Sequence, residues 1–438
     1  MLRRWIWLLP TLLVAAIVLP AALFNVHGGI RISDDSLDFH IPQINQFIKA
    51  PFDLLSFTAF APTFPGYHVA MAWLAHLFGV PEVNDNVALM RFINAAFTLL
   101  AVAYALPLAM RTRYSDPRTS RRLLDALAVM LPFCLSWYIA LTATYYGTEG
   151  LAHLCLVGVL WALVGMHPRR NLLAATLAAL IFVRHIFAPI LPIALLAHLG
   201  KSRPVRGILN DYHLKFAAIA LLPAVAIIAI YVWQWGGLVP PGRLAEMNRS
   251  GLSPHSWLHA LAFLGLTTFL LLPLEIRGSR DVVSGILPKI LAGVLLLGAL
   301  ALWLAAPSDL DVAAGRWGSV IWSVAQRTPL VFGKSPAVML LALIGAAFLA
   351  YVIVRGWQGE RMAAEIVVLV LYLVGVGLTQ AAHQRYVEPV TLLCLGVFFH
   401  RIGGERPLWT YAPVALFAAG SAGWSVYRLY YVFRIAGS

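Results

Sequence analysis

Apolar runs of near-membrane length recur along the whole chain, separated by short polar bursts. They predict spans at 5–24, 87–110, 123–143, 150–166, 214–233, 257–274, 286–305, 336–354, 364–381, 387–400 and 409–427. About 20 apolar residues is the length at which a helix crosses the ~30 Å hydrocarbon layer of a bilayer. Two stretches depart from this pattern. The segment 66–80 is short and carries His68 and His76, so it predicts an interfacial helix rather than a crossing one. The block 172–199 is interrupted by Arg184-His185 and predicts two half-length helices meeting at Arg184 near the outer surface. Between 41 and 50, Ile41, Ile44, Phe47 and Ile48 alternate with Gln43, Asn45, Gln46 and Lys49, the spacing of a helix lying flat on the membrane. The fold class predicted is an all-α polytopic membrane protein of about thirteen segments, two of them short.

Composition strengthens this picture. The 438 residues are 61% hydrophobic and only 12% charged, with a mean hydropathy of +0.80. Soluble domains run at about 45–50% apolar and about 25% charged, so a soluble enzyme is excluded. The formal net charge of +13 lies in short bursts between apolar runs, as topology signals do, and not in a stripe suited to nucleic acid. With Arg3 and Arg4 inside, 20 of the 32 Lys and Arg fall on the inner face, including the five arginines of 111–122. The N-terminus is then cytoplasmic, the C-terminus is outside, and the first apolar run is a retained span. The long polar loops 25–86, 234–256 and 306–335 and the turns 144–149 and 382–386 all face outward. Cys134, Cys155 and Cys394 lie in apolar stretches and form no disulfide framework, and zinc-type ligand spacing is absent. No internal repeat is visible, which counts against a secondary transporter.

The first outer loop holds the most chemistry. Asp34, Asp35 and Asp38 precede His40 at the membrane surface, in a chain with only 19 acidic residues. A carboxylate there can act as a base toward a headgroup that stays at the lipid surface. Asp38 has a second reading as the cap of the 39–50 helix. The prolines of Phe60-Ala61-Pro62-Thr63-Phe64-Pro65-Gly66-Tyr67-His68 stiffen a turn. Arg91 and Asn94 follow at the outer end of the second span, where an arginine ordinarily reaches lipid headgroups. Tyr145, Tyr146 and Glu149 form an outer turn, and an acid at a span edge needs a partner. Arg184 reads either as a counter-ion to Glu149 or as a ligand of a lipid phosphate. Gln380, His383, Gln384, Arg385 and Tyr386 make a second polar group on the same face.

In this order the motifs resemble the GT-C glycosyltransferases, most nearly the dolichyl-phosphoglucose α-1,2-glucosyltransferase family, as a prokaryotic-type relative. The family's D-E-x-F-H-x-x-Q is met by Phe39, His40 and Gln43, with Asp34-Asp35 two residues further away and Asp38 nearer. Its T-x-P-G-x-Y is approached by Thr63-Phe64-Pro65-Gly66-Tyr67, and its M-L-R-F-x-N by Leu89-Met90-Arg91-Phe92-Ile93-Asn94. Tyr145-Tyr146-Gly147-Thr148-Glu149 resembles Y-Y-T-E with one added glycine. Val183-Arg184-His185 is a remnant of F-R-Q-T-N, Gly236-Gly237-Leu238-Val239 stands for G-G-I-V, and Gln384-Arg385-Tyr386 stands for N-R-H-Y.

The resemblance implies a single GT-C membrane domain over 1–438 and an inverting transfer of a hexose, glucose favoured. The donor is a polyprenyl-phosphate sugar, and the acceptor is a hydroxyl of a lipid-linked oligosaccharide or similar glycan. Asp34, Asp35, Asp38 and His40 are the catalytic candidates, and Arg184 with Arg385 the donor-phosphate ligands. Tyr67, Tyr145, Tyr146, Glu149, His185, Gln384 and Tyr386 are the substrate contacts. The resemblance fixes no certain cofactor, and a divalent metal stays open. The site faces the periplasmic side of an inner membrane. The alternative is a polytopic lipid or polysaccharide transporter, which should instead place its carboxylates near mid-membrane.

Overall fold

The computed structural model describes residues 8–24, 36–55, 61, 63–112, 119–165, 168–196, 211–240, 252–275, 286–307, 320–358, 362–378, 384–403 and 406–432. Among these the regular elements are all helices, and the one β contact is an isolated bridge between Val331 and Lys334. Five helices, Val83–Met110, Tyr212–Trp235, Pro254–Leu274, Pro288–Ala305 and Pro336–Trp357, are long and apolar enough to cross a membrane. Contacts divide the chain into two compact units. Unit 1 comprises Met1–Ala188, Lys215–Asn248 and Ala415–Ser438, and unit 2 comprises Pro189–Leu214 and Arg249–Val414.

Unit 1 contains α1 (Leu9–Phe24), α2 (Ile41–Lys49), α3 (Gly66–Leu77), α4 (Val87–Met110), α5 (Thr119–Cys134), α6 (Trp137–Thr144), α7 (Glu149–Leu163) and α8 (Arg170–Val183). The long α4 is its axis, packing against α1, α5, α6 and α7, while α7 packs on α8. The α4–α7–α8 packing depends on small residues. A Cβ on Gly150 would stand 2.5 Å from Thr98 Oγ1, and one on Gly158 would stand 2.6 Å from Thr176 Cγ2. Such positions let helix backbones approach where no hydrophobic effect drives association.

The run expected as one span over 123–143 is two helices. α5 ends at Cys134, α6 begins at Trp137, and their axes differ by 57°. Pro132 lacks the N–H that would continue the ladder. The Ser136 side chain then accepts from the Tyr138 N–H and starts α6 afresh. The break expected at Arg184 is present: α8 stops at Val183, Arg184 has extended backbone (φ −156°, ψ 101°), and a 3₁₀ segment follows over His185–Ile190. The helix expected within 66–80 is α3, with 12 residues. α2 buries Ile41, Ile44, Phe47 and Ile48 as its pattern requires, and Gln43 as well. Its far end is held by Lys49 paired to Glu82 at 2.7 Å and by Asn45, which accepts the Val83 N–H at 2.8 Å.

Two helices belong to both units: α10 (Asp211–Trp235), whose residues from Lys215 on lie in unit 1, and α17 (Ala412–Tyr427), whose residues from Ala415 on do so. Unit 2 holds α9 (Ile193–Leu196), α11 (Pro254–Leu271), α12 (Ile286–Ala305), α13 (Val320–Arg327), α14 (Pro336–Trp357), α15 (Ala364–Val376) and α16 (Gln384–Ile402). Its centre is the crossing of α11 and α14. There a Cβ on Gly265 would collide with the Leu341 carbonyl oxygen, and one on Gly345 with the Leu261 carbonyl oxygen. At the far end of α16, Arg401 clasps the fully buried Glu365 through Nε at 2.7 Å and Nη2 at 2.8 Å. Arg406 donates to the Leu274 and Phe399 carbonyls.

Candidate functional site

The antiparallel order of unit 1 places the start of α4, the end of α6, the start of α7 and the end of α8 together, and the polar motifs occur at these ends. Asn94 is the junction. Its Nδ2 donates to the Thr142 carbonyl at 3.0 Å and to the Tyr145 carbonyl at 2.8 Å, and so satisfies two acceptors that the end of α6 leaves open. Its Oδ1 accepts the Tyr67 hydroxyl at 2.9 Å. All of Tyr67 is buried, as is Asn94. Burial, reinforced by Tyr146, holds the Tyr67 phenol well above its ordinary range, so it stays a neutral donor.

Next to this junction, Arg184 Nη1 and Glu149 Oε1 form an ion pair at 3.0 Å, with side chains 11% and 6% exposed. The turn that delivers Glu149 needs a small residue, because a Cβ on Gly147 would meet Glu149 Oε2 at 2.7 Å and the Tyr145 ring at 2.8 Å. His185 packs against the Phe64 ring, with centroids 5.2 Å apart. Phe64 in turn stacks on Tyr231 at 4.7 Å and leans on Trp235 at 5.6 Å. The Tyr231 hydroxyl donates to the Leu54 carbonyl at 3.0 Å.

On the other side of Tyr67, His40 and His68 stack with centroids 5.2 Å apart and share a hydrogen bond, Nδ1 to Nε2, of 2.9 Å. Burial, and then the neighbouring His40, push the His68 imidazole well below its ordinary value. Asp38 is exposed and does not cap α2. The helical backbone already runs through a π turn over Ser36–His40, so Asp38 lies inside the turn and the cap position falls on His40, which makes no side-chain cap. Asp34 and Asp35 lie outside the described residues, as do Gln380 and His383.

Arg91, expected to reach headgroups, is instead only 4% exposed. It shares the buried face of α4 with Asn94 and Thr98, at helical spacing. Tyr146 interacts with it electrostatically, and the Tyr146 hydroxyl donates to the Val87 carbonyl at 3.4 Å.

Gln384, Arg385 and Tyr386 belong to unit 2. Gln384 Oε1 accepts the Val320 N–H at 2.7 Å, and its amide donates to Glu388 Oε2 at 2.5 Å. Arg385 lies over the Tyr386 ring and donates to its hydroxyl at 3.0 Å. The Tyr386 carbonyl accepts from Tyr372. Also in unit 2, Trp322 stacks on His255 at 4.5 Å and on His259 at 5.3 Å.

Sequence reasoning missed His68, Thr98, Tyr231 and Trp235 as members or neighbours of these groups. A signal existed for two of them: Tyr231 and Trp235 are spaced i, i+4 on one face of α10. Among the described residues, no three His, Cys, Asp or Glu side chains are grouped to hold a metal ion. Comparison of the chain with protein-family models, with curated proteins and with solved structures finds no match.

Proposed function

We propose that the chain is a polytopic membrane glycosyltransferase of GT-C type that moves a hexose, glucose favoured, from a polyprenyl-phosphate sugar to a hydroxyl of a lipid-linked oligosaccharide or similar glycan. One observation supports this reading. His40, Tyr67, Asn94, Tyr145 to Glu149 and Arg184-His185, drawn from motifs far apart in the sequence, meet in a single buried polar cluster at one end of unit 1. In this reading thirteen segments cross or enter the membrane, the N-terminus is cytoplasmic, and the cluster faces outward.

The chemistry follows from an inverting displacement. The acceptor oxygen bonds to the anomeric carbon as the carbon–oxygen bond to phosphate breaks, and that electron pair leaves with the phosphate. The hydroxyl proton passes to a carboxylate, with Asp34 or Asp35 favoured over Asp38 and His40 in reserve. A phosphate leaves as an anion, so no second carboxylic acid is needed, unlike glycoside hydrolysis. Motif order assigns Arg184 and Arg385 to the donor phosphate, which calls for Arg184 to serve it while held by Glu149. Tyr67, Tyr145, Tyr146 and Glu149 shape the pocket around it.

The test is to incubate purified protein with radiolabelled polyprenyl-phosphate sugars and extracted lipid-linked glycans, and to follow label into glycan. Transfer from one donor, lost in Asp34→Asn or Asp35→Asn, is the expected result. No transfer from any donor, or full turnover in all three Asp34→Asn, Asp35→Asn and Asp38→Asn variants, removes the mechanism.

A further inference from the structure

Arg91 is a buried cation with no carboxylate partner among the described residues. Its Nε and Nη1 are sealed from solvent and have no hydrogen-bond partner, and the residue is 4% exposed. Half-buried Arg111, Arg122 and Arg385 each leave only Nε sealed and without a hydrogen bond, and three other shielded arginines are met by acceptors. Arg184 has Glu149, Arg401 has Glu365, and Arg406 has two backbone carbonyls. A guanidinium cannot escape this cost by shedding its proton. Burying an uncompensated charge costs several kcal/mol even after relaxation, so the position makes physical sense when an anion completes it.

The surroundings point the same way. Arg91 stands in the second turn of the 24-residue α4, close to the positive end of that helix's dipole. The Tyr146 hydroxyl donates to the Val87 carbonyl, one turn before Arg91 on the same helix, and so lies beside the start of α4. Glu149 and Arg184 cancel one another, whereas Arg91 has no such counter-charge among the described residues.

We propose that Arg91, at the start of α4, forms a phosphate subsite, separate from the Glu149–Arg184 pair, that takes the phosphate of a polyisoprenyl lipid. The anion subsite stands on the geometry alone; the choice of an isoprenyl phosphate as its occupant rests on the glycosyltransferase reading. Guanidinium and phosphate pair through parallel charge-assisted hydrogen bonds, so Arg91→Lys keeps the charge but loses the fork.

The test uses the full-length purified protein in detergent, melted with farnesyl phosphate, farnesol or inorganic phosphate, because a ligand that binds the folded state raises the melting temperature. Farnesyl phosphate is expected to raise it and farnesol not to. Arg91→Gln should lose at least about tenfold in affinity for farnesyl phosphate, about 1.4 kcal/mol, with Arg91→Lys in between. The ligand-free melting temperature of Arg91→Gln should equal or exceed that of the wild type, since a merely structural arginine would leave its partners orphaned on removal. Stabilisation by inorganic phosphate equal to that by farnesyl phosphate keeps the anion subsite and overturns its lipid occupant. Absence of any response in the wild type, unchanged affinity in Arg91→Gln, or a lowered ligand-free melting temperature in that variant overturns the subsite. Neither probe carries a sugar. Loss of binding in Arg91→Gln therefore stands even if no sugar is ever transferred, and transfer without any Arg91 effect removes the subsite but not the transferase reading.

Discussion

The Tyr67 hydroxyl donates to Asn94 Oδ1 at 2.9 Å, and Asn94 spends its amide on two carbonyls at the end of α6. One side chain thus ties α3, α4 and α6 together. Tyr67→Phe removes one hydrogen bond and should cost about 1 kcal/mol, whereas Asn94→Leu strands two buried carbonyls and a hydroxyl and should cost about 3 kcal/mol or more. Because the two residues share a bond, the double variant should cost less than the sum. Thermal melting of the three purified proteins checks this, and strict additivity would contradict the geometry.

The Glu149–Arg184 pair is shielded enough for its loss to be felt. Removing either partner alone, as Glu149→Gln or Arg184→Gln, leaves a buried charge and should destabilise by about 3–5 kcal/mol. The double replacement should recover part of that loss. Gly147→Ala pushes on Glu149 Oε2 and should lower stability in the same direction by a smaller amount. If Arg184→Lys keeps both stability and turnover near wild type, the donor-phosphate assignment of Arg184 falls.

The α11–α14 crossing predicts a sharp contrast among glycines. Gly265→Ala and Gly345→Ala force a methyl group onto a facing carbonyl and should cost at least about 1–3 kcal/mol through overpacking. Gly293→Ala and Gly423→Ala meet nothing within 4 Å and should gain up to about 1 kcal/mol from helix propensity. The yield of monodisperse protein and the melting temperature separate the two pairs.

His68 makes stability depend on pH. Its imidazole titrates well below the ordinary 6.5 in the folded chain, because burial and His40 disfavour its charged form. The unfolded chain therefore binds this proton first as pH falls. The stability contribution is complete above pH 6.5 and is lost below it, at up to about 1.4 kcal/mol per pH unit. His68→Gln keeps an acceptor toward His40 but has nothing to titrate. Its melting temperature should fall less than that of the wild type between pH 7 and pH 5, and parallel curves would exclude His68 as the source.

Features set by local chemistry were legible in the sequence. The break at Arg184 followed from an apolar block too long for its charges, and the buried stripe of α2 followed from its spacing. Glu149 as partner of Arg184 was one of two readings, and only their proximity in space selects it. The division of 123–143 at Cys134 was missed because apolar periodicity runs straight through it, although Pro132 and Ser136 mark the place. Arg91 was misread because span ends usually admit headgroups. Whether an arginine faces lipid or protein depends on what packs beside it, here Tyr146 in the turn between α6 and α7, and sequence spacing does not reveal that. Asn94 as a clasp on Thr142 and Tyr145 is a long-range contact with no local signature.

The lengths of α7 and α8 set a further relation between this protein and its host membrane. With 15 and 14 residues, they measure roughly 22 and 21 Å along their axes, well short of the ~30 Å hydrocarbon slab. If these helices cross the bilayer as the proposed reading has it, lipids beside them would thin or tilt to match, and water and headgroups would dip toward the end where Glu149 meets Arg184. In the proposed membrane reading, acyl-chain length would then bear on this end of unit 1. The protein's ability to engage amphiphiles should rise in thin short-chain bilayers and decline in thick, sterol-stiffened ones.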